Sequence, residues 1–206
     1  MQDLIKARQM EKYMRNQFTF YGIQAGPRRK AYQDFLREEK KMGEINWEFL
    51  DLCYKDSHRE FQYLACDYLI GMKKFLEIRD LWRIQGFIQE KSWWDTVDLL
   101  HKVVGFLYLQ NPEIGEEMLG WSIHEDFWLR RVAIDFQNGL KEKTDQDLLE
   151  KILQNNLKQK EFFINKAMGW SLREYSKTNP DWVRRFIKRN REDLSSLSVR
   201  EASKYL

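Results

Sequence analysis

Two cysteines, three prolines and three histidines are all that 206 residues contain of those types, and each shortage excludes something. Cys53 and Cys66 form no CxxC pair, and no secretory segment points to an oxidising compartment. Both read as small buried hydrophobes in a cytoplasmic protein. His58, His101 and His124 are scattered without metal-ligand spacing, so no metal or other cofactor is expected. No apolar run approaches the roughly 18 residues that would span a bilayer. A Gly-rich phosphate loop, a nucleophile elbow and a Ser/His/Asp trio are all missing, which leaves few routes to covalent or phosphoryl-transfer chemistry.

What is present fits one helix-rich domain over 1–206 with a real core. Hydrophobic residues make up 43% and charged residues 33%, with no Gly/Ser/Pro-rich linker. Aromatics reach 15%, eight of them tryptophan. The net charge of +3, from 35 bases against 32 acids, permits a nucleic-acid partner without demanding one.

Ala31, Ala65, Asp98, Ala133, Ala167 and Ala202 recur at intervals of 33–35 residues. A period of that length is the signature of stacked helix pairs, and a recurring alanine marks close helix approach. Start signals recur in phase: Ser57 with Glu60, Ser92 with Asp95, Thr144 with Asp147 and Ser198 with Glu201 read as hydroxyl caps with an acid three residues on. Asn111-Pro112 and Asn179-Pro180 add caps followed by a first-turn proline. About twelve helices are predicted, near 2–17, 28–42, 46–54, 58–72, 76–89, 93–110, 113–122, 126–141, 145–157, 161–176, 180–190 and 198–206, with 22–27 as a break. No sustained period-two alternation suggests strands. The predicted fold is all-α, an α-α superhelix of about six helical hairpins, with the alanine-bearing helices lining its concave face.

Asp98 takes an alanine position, and an acid at a helix-packing site is unfavourable unless paired or functional. Trp94 lies one turn before it on the same face. Arg131 falls two residues before its repeat's alanine, and Trp170 three after. Packing for the tryptophans and a structural ion pair for Asp98 and Arg131 are the plainer readings. A carboxylate, an arginine and aromatic faces otherwise suit a cationic transition state. A carboxylate stabilises an oxocarbenium ion, and aromatic faces attract cations. Clusters at Arg28-Arg29-Lys30, Arg130-Arg131, Arg173, Lys188-Arg189 and Arg200 could track a phosphate backbone, or form an ordinary solvated face.

Nearly the whole chain resembles the AlkD-like DNA alkylation-repair glycosylases, built from HEAT-like repeats. The resemblance is carried by Tyr13-Met14-Arg15-Asn16, Gly22-Ile23-Gln24, Pro27-Arg28-Arg29, Lys91-Ser92-Trp93-Trp94-Asp95-Thr96-Val97-Asp98 and Trp128-Leu129-Arg130-Arg131. Lys160-Glu161-Phe162-Phe163-Ile164, Gly169-Trp170, the run 172–180 (LREYSKTNP) and Leu197-Ser198-Val199-Arg200-Glu201-Ala202 extend it. It implies excision of positively charged N3- or N7-alkylated purines from duplex DNA by a monomer, with no cofactor. Asp98 would be the catalytic carboxylate, Trp94 and Trp170 would pack against the lesion's deoxyribose, and Arg131 would support Asp98 and the DNA backbone. Tyr13, Arg28, Arg29, Lys30, Lys91, Arg130, Arg173 and Arg200 would contact DNA. The resemblance also implies two departures, a shortened leading helix and Ala25-Gly26 where a Thr-Pro-type turn is usual. A non-catalytic DNA-binding relative and a protein-binding scaffold are the competing readings.

Overall fold

Chain-local hydrogen bonding accounts for nearly all the regular structure. The computed structural model describes residues 2–206, and these form thirteen α-helices and four 3-10 turns, with no strand beyond an isolated bridge between Thr19 and His58. The all-helical expectation holds. Contacts gather into two compact units, one ending at Glu77 and the other Ile78–Leu206. No helix among the described residues is long and apolar enough to cross a membrane.

The first unit contains α1 (Leu4–Tyr13), α2 (Ala25–Ala31), α3 (Gln33–Met42), α4 (Trp47–Lys55) and α5 (Arg59–Met72). Three features differ from the expected helices. The leading helix stops at Tyr13 because Arg15 and Asn16 take left-handed backbone angles (φ 57° and 56°). The expected break at 22–27 contains the start of α2. Pro27 falls in that helix's first turn, where its missing N–H has no acceptor to lose. The single helix expected over 28–42 is broken at Tyr32 (φ −113°, ψ 10°), whose buried side chain hydrogen-bonds Asp67 of α5. Ala31 is consequently exposed and is not a helix-packing alanine.

The second unit contains α6 (Leu81–Gln89), α7 (Trp94–Gln110), α8 (Ile114–Ser122), α9 (Phe127–Asp135), α10 (Gln146–Asn155), α11 (Phe162–Ser176), α12 (Pro180–Arg189) and α13 (Ser196–Ala202). α7, α9, α11 and α13 lie side by side in one row. α6, α8 and α12 pack on α7, α9 and α11, while α10 packs on α8 and α9. Ala133, Ala167 and Ala202 of the row are fully buried, as is Ala65 of α5. Leu100, Val104, Leu129, Val132, Ile152, Ile164 and Leu172 are fully buried around them. Each such aliphatic side chain contributes about 1.5–3 kcal/mol on leaving water.

The caps are shifted from their expected places. Asn179, followed by Pro180, does cap α12 and accepts from Trp182 N–H. Elsewhere Asp145, Glu161 and Ser195 cap α10, α11 and α13 in place of the hydroxyls expected for α10 and α13. Asn111 ends α7. Two of the acids read as cap partners serve tertiary contacts instead. Glu60 accepts the backbone N–H groups of Tyr21, Gly22 and Ile23, and Glu201 binds Lys166, Arg173 and Lys204.

Close approach within the row depends on two glycines. A Cβ on Gly169 of α11 would lie 2.7 Å from the Glu201 Cβ and 2.8 Å from the Ser198 carbonyl oxygen of α13. A Cβ on Gly105 of α7 would stand 2.1 Å from the carbonyl oxygen of Phe136, just after α9. That oxygen belongs to backbone and cannot rotate away. Gly105→Ala is therefore expected to lose about 1–3 kcal/mol by overpacking, read by urea unfolding. Unchanged stability would mean that α7 and α9 are not held at this distance.

Candidate active site

The carboxylate at the fourth residue after Trp94 is set by the start of α7. Trp93 is extended before the helix (φ −159°, ψ 158°), and the Thr96 hydroxyl closes the turn on its carbonyl at 3.3 Å. Lys91, left-handed at φ 49°, and Ser92, bonded to the Ile88 carbonyl at 2.7 Å, turn the chain from α6 into α7. Trp94 and Asp98 then share one face of α7, both partly exposed.

Arg131 of α9 meets Asp98 edge to edge. Its Nε donates to Oδ1 at 2.8 Å and its Nη2 to Oδ2 at 3.0 Å, while Nη1 donates to the Phe163 carbonyl in the first turn of α11 at 2.8 Å. The arginine side chain is 3% exposed and the aspartate 18%. Planar bidentate pairing of this kind is a property of guanidinium that ammonium cannot copy. Burial pushes the Asp98 carboxyl up from its ordinary value; the Arg131 charge and hydrogen bonds oppose that shift, and the nearby Asp95 adds to it.

Trp170 of α11 completes the group. Its ring centroid lies 6.0 Å from the guanidinium carbon of Arg131 and 6.0 Å from that of Arg173. Arg173 is steadied by Glu201 at 3.0 Å, and Lys166 first, then Lys204, hold that carboxyl down at about 2. The structure thus brings Asp98, Arg131, Trp170 and Arg173 together, with Trp94 one turn from Asp98. Arg130 and Lys91 are half-buried beside the same helix starts, and Arg200 is exposed on α13.

The first unit holds the remaining residues expected to contact DNA. Tyr13 is 69% exposed at the end of α1. Arg28 is buried: its guanidinium lies over the Tyr63 ring at 4.4 Å and 3.5 Å from Asp67. It therefore packs its own unit, and Arg29 and Lys30 carry that cluster's exposed charge, with Arg29 also reaching Asp67 at 3.1 Å.

Sequence reasoning missed two residues near Asp98. Asp135 is one turn after Arg131 on α9, fully buried, with an oxygen 3.9 Å from Arg131 Nη2. Burial pushes its carboxyl up to about 7; Arg131 opposes the shift and Asp98 adds to it. His101, three residues after Asp98, stands edge-on to Trp170 at 6.2 Å. Burial, helped by the Lys102 and Arg131 charges, pushes it down to about 3, so it is neutral at physiological pH. The available signal for Asp135 was its spacing from Arg131 inside the apolar run Val132-Ala133-Ile134. Among the described residues no cluster of His, Cys, Asp and Glu has the geometry to hold a metal ion.

Residues 1–206 match the family model described as DNA alkylation repair enzyme. A solved structure named "Predicted DNA alkylation repair enzyme from Enterococcus faecalis" is 36% identical, with a TM-score of 0.91, and the match covers 100% of this chain and 97% of that one. No curated protein matches the chain.

The buried Asp135 gives stability a definite pH dependence. A carboxyl raised in the folded state holds its proton more tightly folded than unfolded. Its contribution to stability is complete below the unfolded value of 3.8 and is lost as pH rises toward about 7. Asp135→Asn removes that loss while keeping an acceptor for Asn138. Its thermal midpoint is expected to gain on the wild type steadily between pH 4 and 7 and to exceed it by several degrees at pH 8. A difference independent of pH would overturn this assignment.

Proposed function

Because the chain belongs to the DNA alkylation repair enzyme family, we propose that it is a monofunctional DNA glycosylase acting on positively charged N3- or N7-alkylated purines in duplex DNA. The observation that carries this reading is a partly exposed carboxylate, Asp98, aligned edge to edge by Arg131 beside the Trp170 ring.

A base that is already cationic needs no proton to leave. As the C1′–N bond breaks, its electron pair goes to the base, which departs neutral, and positive charge passes to the sugar. Asp98 opposes that charge directly, and the exposed faces of Trp94 and Trp170 add the attraction of their ring quadrupoles. Water then adds to C1′ and gives up a proton. Arg131 serves this chemistry by keeping Asp98 ionised and in plane against the burial that favours its neutral form. Asp98 thus remains charged in the ground state, so the electrostatic stabilisation is preorganised. Exposed Lys30, Arg29 and Arg200, with Lys91, Arg130, Arg173 and Tyr13, are the proposed backbone contacts, which fix register and carry no base selectivity.

Release of 3-methyladenine and 7-methylguanine from methylated duplex DNA tests the reading. Asp98→Asn is expected to lower the single-turnover rate by about 10²–10³, with little change in DNA affinity. No release by the wild type, or full activity in the variant, sinks the catalytic assignment. Tight binding without release favours the second reading, a DNA-binding relative, for which the engagement of both Asp98 oxygens by Arg131 speaks. Arg200→Ala and Lys30→Ala are expected to weaken binding to all duplexes alike and to reduce its salt dependence by about one counterion each. Affinity insensitive to salt would exclude this phosphate interface.

A further inference from the structure

Arg131 is shared between two carboxylates, and only one of them faces outward. Asp98 takes two of its N–H groups, while Asp135 approaches from the helix interior at 3.9 Å. Asp135 is held in place from its other side, where its Oδ1 accepts from the Asn138 amide at 2.8 Å. Its Oδ2, the oxygen turned to Arg131, makes no hydrogen bond. Asn138 also lines a cavity of about 400 Å³ together with Gln137 and Ser171, which puts a polar neighbour of the buried carboxyl within reach of water.

We propose that Asp135 is a positioning residue that sets how much of the Arg131 charge Asp98 must share, so that ionisation of Asp135 leaves Asp98 more strongly negative toward its substrate. With Asp135 neutral, the guanidinium is answered by Asp98 alone and the pair is nearly self-cancelling. With Asp135 ionised, Arg131 lies between two anions and the cluster carries a net negative charge. In a dry interior that added charge is weakly screened and is felt over several ångströms. For a cationic alkylpurine and the sugar cation that follows it, the ionised state is the active one. The substrate side of this inference rests on the glycosylase reading; the charge coupling itself does not.

The surroundings leave few other groups to produce the effect. α6, α7, α8, α10 and α11 all pack on α9. α7 supplies Asp98, the Lys102 charge and the neutral His101, and α9 itself supplies Arg131. Among the described residues, Arg131 is the one base that pairs with the Asp135 carboxyl within 4.0 Å. Burial pushes the Asp135 carboxyl up to about 7, which puts its ionisation in the neutral range.

Two readouts test this. Carbon-13 NMR of the aspartate carboxyl groups in the intact protein is expected to show the Asp98 signal moving in two steps, one coincident with the Asp135 titration. Asp135→Asn should delete that step. Asn138→Ala, which removes the donor that favours the ionised form, should move it to higher pH. In single-turnover release of 3-methyladenine, the ratio of wild-type to Asp135→Asn rates at saturating enzyme should rise several-fold from pH 6 to 8 with the half-saturating enzyme concentration unchanged, and the ratio cancels any titration of the substrate. An Asp98 signal that traces one curve in wild type and variant, or a rate ratio flat with pH, overturns the proposal. A coupled carboxyl titration without any base release upholds the charge coupling and removes the glycosylase reading instead.

Discussion

Burying a guanidinium is costly, and the second unit is arranged around meeting that cost at Arg131. Removing such an ion from water carries a penalty of several kcal/mol, which Coulomb attraction recovers only where geometry is good and the other N–H groups are satisfied. Here Nε and Nη2 go to Asp98 of α7, and Nη1 goes to the Phe163 carbonyl of α11. Three neighbouring helices are thereby joined at one side chain. A buried pair of this kind contributes little net stability relative to apolar residues of the same size, yet deleting one partner costs about 3–5 kcal/mol. Stability therefore gives no strong reason to keep it, which favours a role in positioning Asp98.

The repeat makes this possible. Asp98 and Arg131 stand 33 residues apart, as do Ser122 with Asn155, Gln146 with Asn179 and Asn165 with Ser198, and each pair is hydrogen-bonded. A separation of about one period brings residues of adjacent hairpins within bonding distance, so side chains of one repeat regularly meet those of the next. Small residues at Gly105, Ala133, Gly169 and Ala202 bring the row's helices close enough for such short bonds. Asp98 uses a packing position whose geometry the alanines and glycines of neighbouring repeats already define.

Helix identity was legible in the sequence through its periodicity, which also put Asp98, Arg131 and Trp170 on corresponding helices of successive repeats; their role as one group came from the family resemblance. What escaped depends on partners distant along the chain. The break at Tyr32 rests on Asp67, 35 residues on. Glu60 and Glu201 look like capping acids at local spacing, but their carboxylates satisfy a loop backbone and a trio of cations. Arg28 was grouped with its basic neighbours, although Tyr63 and Asp67 draw it inside. Asp135 escaped for a different reason: it lies inside the helix expected over 126–141, and only Arg131 one turn before it gives it a meaning beyond packing.

The net charge of +3 hides two opposed fields. Around Arg131 the interior is acidic: Asp98 and Asp135 flank it, and Asp95 acts on Asp98 from the same helix. In the same unit Arg200, by contrast, puts a basic group at the surface. On the glycosylase proposal, a ligand polyanionic along its backbone and cationic at one internal point would suit both fields at once, whereas undamaged duplex would suit only the outer one. On that proposal, selectivity for a charged lesion would follow from the sign of its charge and would need no pocket shaped to its base. That discrimination is strongest where water is excluded, which is the condition that burial of Arg131 and Asp135 already imposes.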